Sequence, residues 1–126
     1  MKWKLMAVCA ALAVATVPFA GAATAAGRAE TKVTIRTENG DFWGYVNSTR
    51  PRRCAEGRKV VLFKQKGALQ DPKVDKRIAS DTAMLVVDRA EWNTGNTGIY
   101  GRFYARAGRT EFCKGDTSKT IRSVRP

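Results

Sequence analysis

Cys54 and Cys113 hold the most reactive side chains in the sequence, and each is either a nucleophile or one half of a cross-link. A thiolate nucleophile needs a base beside it, ordinarily histidine, and the chain contains no histidine at all. The same lack removes the commonest zinc ligand. Asp81, Asp88, Glu91, Glu111 and Asp116 are scattered, and none stands in the Asp-x-Asp-x-Asp-Gly spacing of a calcium loop. Asn93-Thr-Gly-Asn-Thr-Gly98 has the glycines of a phosphate-cradling loop but lacks the Gly-Lys-Ser/Thr ending and a helix after it, so it reads as turn. These residues predict no catalytic centre, no metal and no cofactor. The remaining chemistry is cationic. Arg50, Arg52 and Arg53 precede Cys54 directly and Arg58 follows it, a cluster suited to gripping an anion, with Trp43 and Tyr45 nearby to stack on sugars or bases. The competing reading is a solvated loop, with the aromatics covered by a second sheet.

The amino end determines which cysteines matter. Lys2 and Lys4, an apolar stretch from Leu5 to Phe19, and the small-residue tract Ala20 to Ala26 have the layout of a secretory signal peptide. The apolar stretch falls short of the ~20 residues that span a bilayer. Cleavage is expected after Ala22, Ala25 or Ala26; taking Ala25 divides the chain into a leader over 1–25 and one domain over 26–126. Cys9 leaves with the leader, so an exported domain keeps Cys54 and Cys113, which an oxidising compartment joins. Closing a loop of roughly 60 residues contributes about 4 kcal/mol in the chain-entropy picture. Removing Lys2 and Lys4 takes the 23 basic residues to 21 against 11 acidic, so the charge is still +10. Such a charge suits an anionic polymer, nucleic acid or wall-type, among extracellular or envelope partners. Nothing in the sequence calls for more than a monomer. Asn47-Ser48-Thr49 is a glycosylation sequon on an expected loop.

The domain must position these residues with strands. Thr31 to Thr37 alternates and is rich in β-branched residues, and Asn39-Gly40 is a two-residue hairpin signal. With that pair at the tip, Thr37 faces Phe42, Arg36 faces Trp43 and Val33 faces Val46. Val33, Ile35, Phe42 and Val46 then share the core face, while Arg36, Trp43 and Tyr45 share the other, with Arg36 placed to stack on Trp43. Asn47 to Gly57 reads as a loop, and Lys59 to Lys64 as a strand buried on both faces. Gly67 to Lys76 reads as a long loop, and Ile78 to Val87 as one strand. Ala90 to Thr94 is a short partner, Gly101 to Ala107 alternates, and Lys119 to Val124 makes a terminal strand. That is about seven strands with no helical period, the pattern of an all-β sandwich.

Gly44-Tyr-Val46, the cysteine before Gly57-Arg-Lys-Val-Val-Leu62, Trp92 and Gly101-Arg-Phe-Tyr-Ala105 together resemble transthyretin-like (carboxypeptidase regulatory-like) domains, as found in small exported bacterial proteins. The resemblance runs from Val33 to Val124. It implies a single seven-stranded immunoglobulin-like or transthyretin-like β-sandwich and an extracellular address, and it implies no catalytic residue. Two features depart from related patterns. Trp92 lies too far beyond Cys54 for a strict immunoglobulin domain. Met84-Leu-Val-Val-Asp88 stands where a polar, glycine-bearing turn is expected, so either the strand is extended or an apolar edge is exposed.

Overall fold

Asn39 and Gly40 both hold positive φ, 50° and 86°, as the expected two-residue hairpin requires. They join β2 (Arg36–Glu38) to β3 (Asp41–Ser48), with Thr37 opposite Phe42 and Arg36 opposite Trp43. β1 (Thr31–Val33) runs along the far half of β3, with Val33 opposite Val46. The sequence register is therefore the observed one, and Val33, Ile35, Phe42 and Val46 are all buried. Thr34 and Ile35 interrupt the strand because the Thr34 backbone dips over Gly44. A β-carbon at Gly44 would lie 1.9 Å from the Thr34 carbonyl oxygen, which instead accepts the Trp92 indole N–H at 3.1 Å.

This computed structural model describes residues 27–126; the expected leader, with its cleavage positions and Cys9, lies outside the described residues. After β3 come α1 (Pro51–Cys54), β4 (Lys59–Lys64), β5 (Lys76–Thr82), β6 (Met84–Val86), β7 (Arg89–Asn96), β8 (Gly101–Ala107), β9 (Asp116–Thr117) and β10 (Ile121–Ser123). Two antiparallel sheets form. In the first, β1 and β2 share one edge of β3, and β7 and then β6 follow on its other edge; in the second, β9 and β10 share one edge of β8, and β4 and then β5 follow on its other edge. The expected loop over Asn47–Gly57 contains the single turn α1, with Pro51 in the first helical turn, where its missing N–H costs nothing.

One expected strand is divided, and one short strand stands outside the expected ones. Ile78 to Val87 is β5 and β6, which belong to different sheets. The break is at buried Ala83, whose N–H donates to the Arg58 carbonyl and whose own carbonyl accepts from Gly57 N–H, so the chain changes sheets there. The expected terminal strand over Lys119–Val124 is β10, and β9 precedes it outside that range. At the break between them, buried Ser118 exchanges bonds with Ala105: its hydroxyl accepts the Ala105 N–H and its N–H donates to the Ala105 carbonyl.

The core between the sheets holds Phe42, Val46, Val60, Leu62, Trp92 and Phe103, all under 2 % exposed. Burying each such side chain contributes about 1.5–3 kcal/mol. β4 is covered on both faces, as its apolar run predicts. Val60 and Leu62 face the core; Val61 and Phe63 join Tyr104 in a second cluster on the outer face of the second sheet. The 65–75 loop is tied to that cluster through Asp75, whose carboxylate accepts from the Tyr104 hydroxyl at 2.6 Å and from the backbone N–H of Lys66 and Asp71. Burial alone would raise the Asp75 carboxyl, but these three donors hold it below its ordinary value. Burial, reinforced by the Asp75 carboxylate, drives the Tyr104 phenol upward.

The edges β1–β2 and β9–β10 meet along an open seam of the sandwich. Val33 N–H donates to Asp116 Oδ2 at 2.6 Å, and the hydroxyls of Thr37 and Ser123 are 3.3 Å apart. Ala29 extends the seam as a bridge to Cys113.

Candidate functional site

Cys54 and Cys113 are joined, with Cα atoms 5.5 Å apart. The bond ties α1 to the segment after β8, and Ala29 packs against it. Arg58 is buried beside this staple. Its guanidinium donates to Thr31 Oγ1 (3.1 Å) and to the carbonyls of Cys54 (2.9 Å), Gly108 (2.7 Å) and Lys114 (3.2 Å). Burial lowers its pKa, though a guanidinium keeps its proton at any physiological pH. Arg58 therefore does not share a surface with the other three arginines of the expected cluster. Its donors face inward because the carbonyl of Cys54 in α1 and two carbonyls of the β8–β9 connection converge on them.

Arg50, Arg52 and Arg53 are exposed on α1 and the residue before it. Arg53 stacks on Phe112, 4.4 Å from the ring centroid. A groove of about 410 Å³ separates these arginines from the β6–β7 hairpin, with Leu85, Val87 and Asp88 forming its opposite wall. Trp43 and Tyr45 remain half-buried on the outer face of the first sheet. Arg36 is Trp43's cross-strand neighbour, and it is Arg89 that stacks on Tyr45, at 3.8 Å. The Met84–Asp88 question resolves as an exposed apolar edge: Met84, Val86 and Val87 all face solvent.

A second cationic cluster escaped the sequence reading. On the outer face of the second sheet, Lys59, Arg77, Arg106 and Arg109 surround a hollow of about 430 Å³ floored by Val61 and Phe63, and no carboxylate lines it. Pairing creates it: Arg106 lies opposite Val61 and Arg77 opposite Phe63, on either side of β4. The alternation within β8 placed its arginines on one side, but the partner strand supplying Lys59 could not be read from spacing.

The carboxylates serve the backbone. Asp116 accepts from Val33 N–H, Asp81 from Asn93 N–H at 2.7 Å, Asp75 from two loop amides, and Glu56 from Leu85 N–H. Among the described residues the ion pair within 4 Å is Lys114–Glu30, so the cation excess is left largely unneutralised. A cleft of about 990 Å³ follows the seam, and its central acid, Asp116, is the one engaged by Val33. In Asn93–Gly98 the side chains of Asn93 and Asn96 accept the N–H groups of Gly95 and Gly98, so those amides do not converge on a ligand. Among the described residues no group of three or more Cys, Asp or Glu is placed to hold a metal, and no helix is long and apolar enough to cross a membrane. The chain matches no protein-family model and no curated protein sequence.

Proposed function

We propose that the protein is an exported, non-catalytic binding or structural module of the immunoglobulin-like or transthyretin-like kind, acting as a monomer outside the cell or at the cell envelope. The observation that carries the reading is the use of its reactive groups in architecture. Both cysteines are cross-linked, and Asp75, Asp81, Asp116 and Glu56 all cap backbone amides. A scaffold built this way offers its surface to a partner. The disulfide accords with an oxidising compartment. Expression of the whole chain in a secreting bacterial host tests the address. The culture medium should contain a chain beginning after Ala22, Ala25 or Ala26, lighter by two hydrogens than its reduced form. Full-length chain retained inside the cell overturns export.

A second reading, recognition of an anionic polymer such as nucleic acid or a wall polymer, is favoured by the hollow with four exposed cations, buried Arg58 behind them, and no acid. Its test is retention on heparin or polyphosphate. A built site should hold beyond about 0.3 M salt, where unspecific phosphate contacts have weakened steeply. Replacing Arg77, Arg106 and Arg109 by alanine should abolish that retention. If only the Arg50/Arg52/Arg53→Ala variant loses it, the polymer sits on α1 instead.

A further inference from the structure

We infer that the β6–β7 hairpin, flanked by the α1 arginines, docks the protein on an anionic lipid surface. The tip is an apolar residue where the backbone disfavours one. Val87 is 92 % exposed and holds a φ of 64°. Of the two turn residues Val87 and Asp88, only the first has positive φ, the pattern of a type II′ turn, whose first position ordinarily belongs to glycine. A β-branched residue there gains nothing from packing and is held in a poorly populated conformation. Such features accompany function more often than stability.

The surroundings identify the partner. Met84 (68 % exposed) and Val86 (47 %) continue the apolar surface back along β6. Arg89 is held over Tyr45 beside the tip, and Arg50, Arg52 and Arg53 stand across the groove. Asp88 in the turn, Glu91 opposite Met84 and Glu56 on the Leu85 N–H are the acids close by, so cations outnumber acids four to three. Apolar residues that enter the acyl boundary, ringed by arginines that meet lipid phosphates, are the pattern of interfacial membrane binding. A soluble polymer would use the arginines and leave Val87, Met84 and Val86 without purpose. Pairing of another strand to β6 is disfavoured, because the strand is three residues long and Glu56 already occupies the outward Leu85 N–H.

The inference rests on the chain meeting anionic partners outside the cell, and the polymer-retention measurement tests that reading separately. The probe is the mature disulfide-bonded protein with vesicles of phosphatidylglycerol and phosphatidylcholine, against phosphatidylcholine alone. Anionic vesicles should sediment the protein and neutral ones should not. Val87→Asp should lower partitioning by about tenfold with heparin retention unchanged, and Arg50/Arg52/Arg89→Ala should lower it at least as much. Val87→Trp should show a blue-shifted emission on anionic vesicles as the tip leaves water. Since Val87 packs on nothing, these variants should fold, which a near-ultraviolet spectrum checks. Three results overturn the inference: no sedimentation with anionic vesicles at low salt, unchanged partitioning of Val87→Asp, or Val87→Trp emission that stays at the solvent wavelength while the protein is bound. In the last two cases the contact is charge alone.

Discussion

Replacing Arg58 by methionine separates a buried hub from a surface anion contact. The guanidinium serves the carbonyls of Cys54, Gly108 and Lys114 and the hydroxyl of Thr31. Methionine fills similar length but donates nothing. Leaving a buried acceptor without a donor costs about 1–3 kcal/mol each. Water can reach the partly exposed Gly108 and Lys114 carbonyls, so we expect a loss of about 3–4 kcal/mol rather than the full sum. With a urea slope of about 1–1.5 kcal/mol/M for a domain of this size, the unfolding midpoint should fall by roughly 2–4 M. Arg58→Lys keeps the charge but cannot reach four acceptors with one ammonium, and should lose about half as much. The assay is equilibrium unfolding by tryptophan emission with the disulfide intact, and Trp92 in the core reports the transition. A midpoint within about 0.3 M of the parent would refute the hub. Normal stability with reduced heparin retention would return Arg58 to the surface cluster.

Three further outcomes are expected. Cys54→Ser paired with Cys113→Ser should cost about 4 kcal/mol, seen as a lower denaturation midpoint, and a loss under 1 kcal/mol would mean the loop is held by other contacts. Asp75 is held below its ordinary value, so its contribution is present above about pH 4 and is lost as pH falls through the folded value; the stability gap between parent and Asp75→Asn should therefore close in acid, and a gap constant from neutral pH to below about pH 3 would refute the arrangement. Val87→Gly should relieve about 1–3 kcal/mol of backbone strain against roughly 0.5–1 kcal/mol of added chain entropy, a net rise in Tm of a few degrees by calorimetry, whereas a fall would show that Val87 packs usefully.

The first hairpin was fully legible because Asn39-Gly40 leaves one turn type and its register puts every apolar side chain on one face. β4 was legible for the same reason, since four apolar residues in a row leave no polar face. The divided strand β5–β6 and the extra strand β9 were not. Ala83 looks like an ordinary strand position and Asp116–Thr117 like loop; what ends one strand and holds the other is a hydrogen-bond partner distant in sequence, Arg58 for Ala83 and Ala105 for Ser118. The candidate site divided in the same way. Local sequence placed Arg50, Arg52 and Arg53 correctly in an exposed segment, but Arg58 alternates with them only in the linear chain. Its direction was set by carbonyls 50 and 56 residues away. The hollow on the second sheet needed three strands to be laid side by side before its four exposed charges became neighbours.

The seam has a consequence for the order of events in folding. Val33 meets Asp116 across 83 residues and Thr37 meets Ser123 across 86, while the disulfide waits 59 residues for its second cysteine. A chain emerging from its amino end therefore brings out its first strand long before the strand that latches it. Closure is a late, long-range step, the kind that makes folding slow. It also makes the two edges one mechanical unit: removing either β1–β2 or β9–β10 would open the same seam.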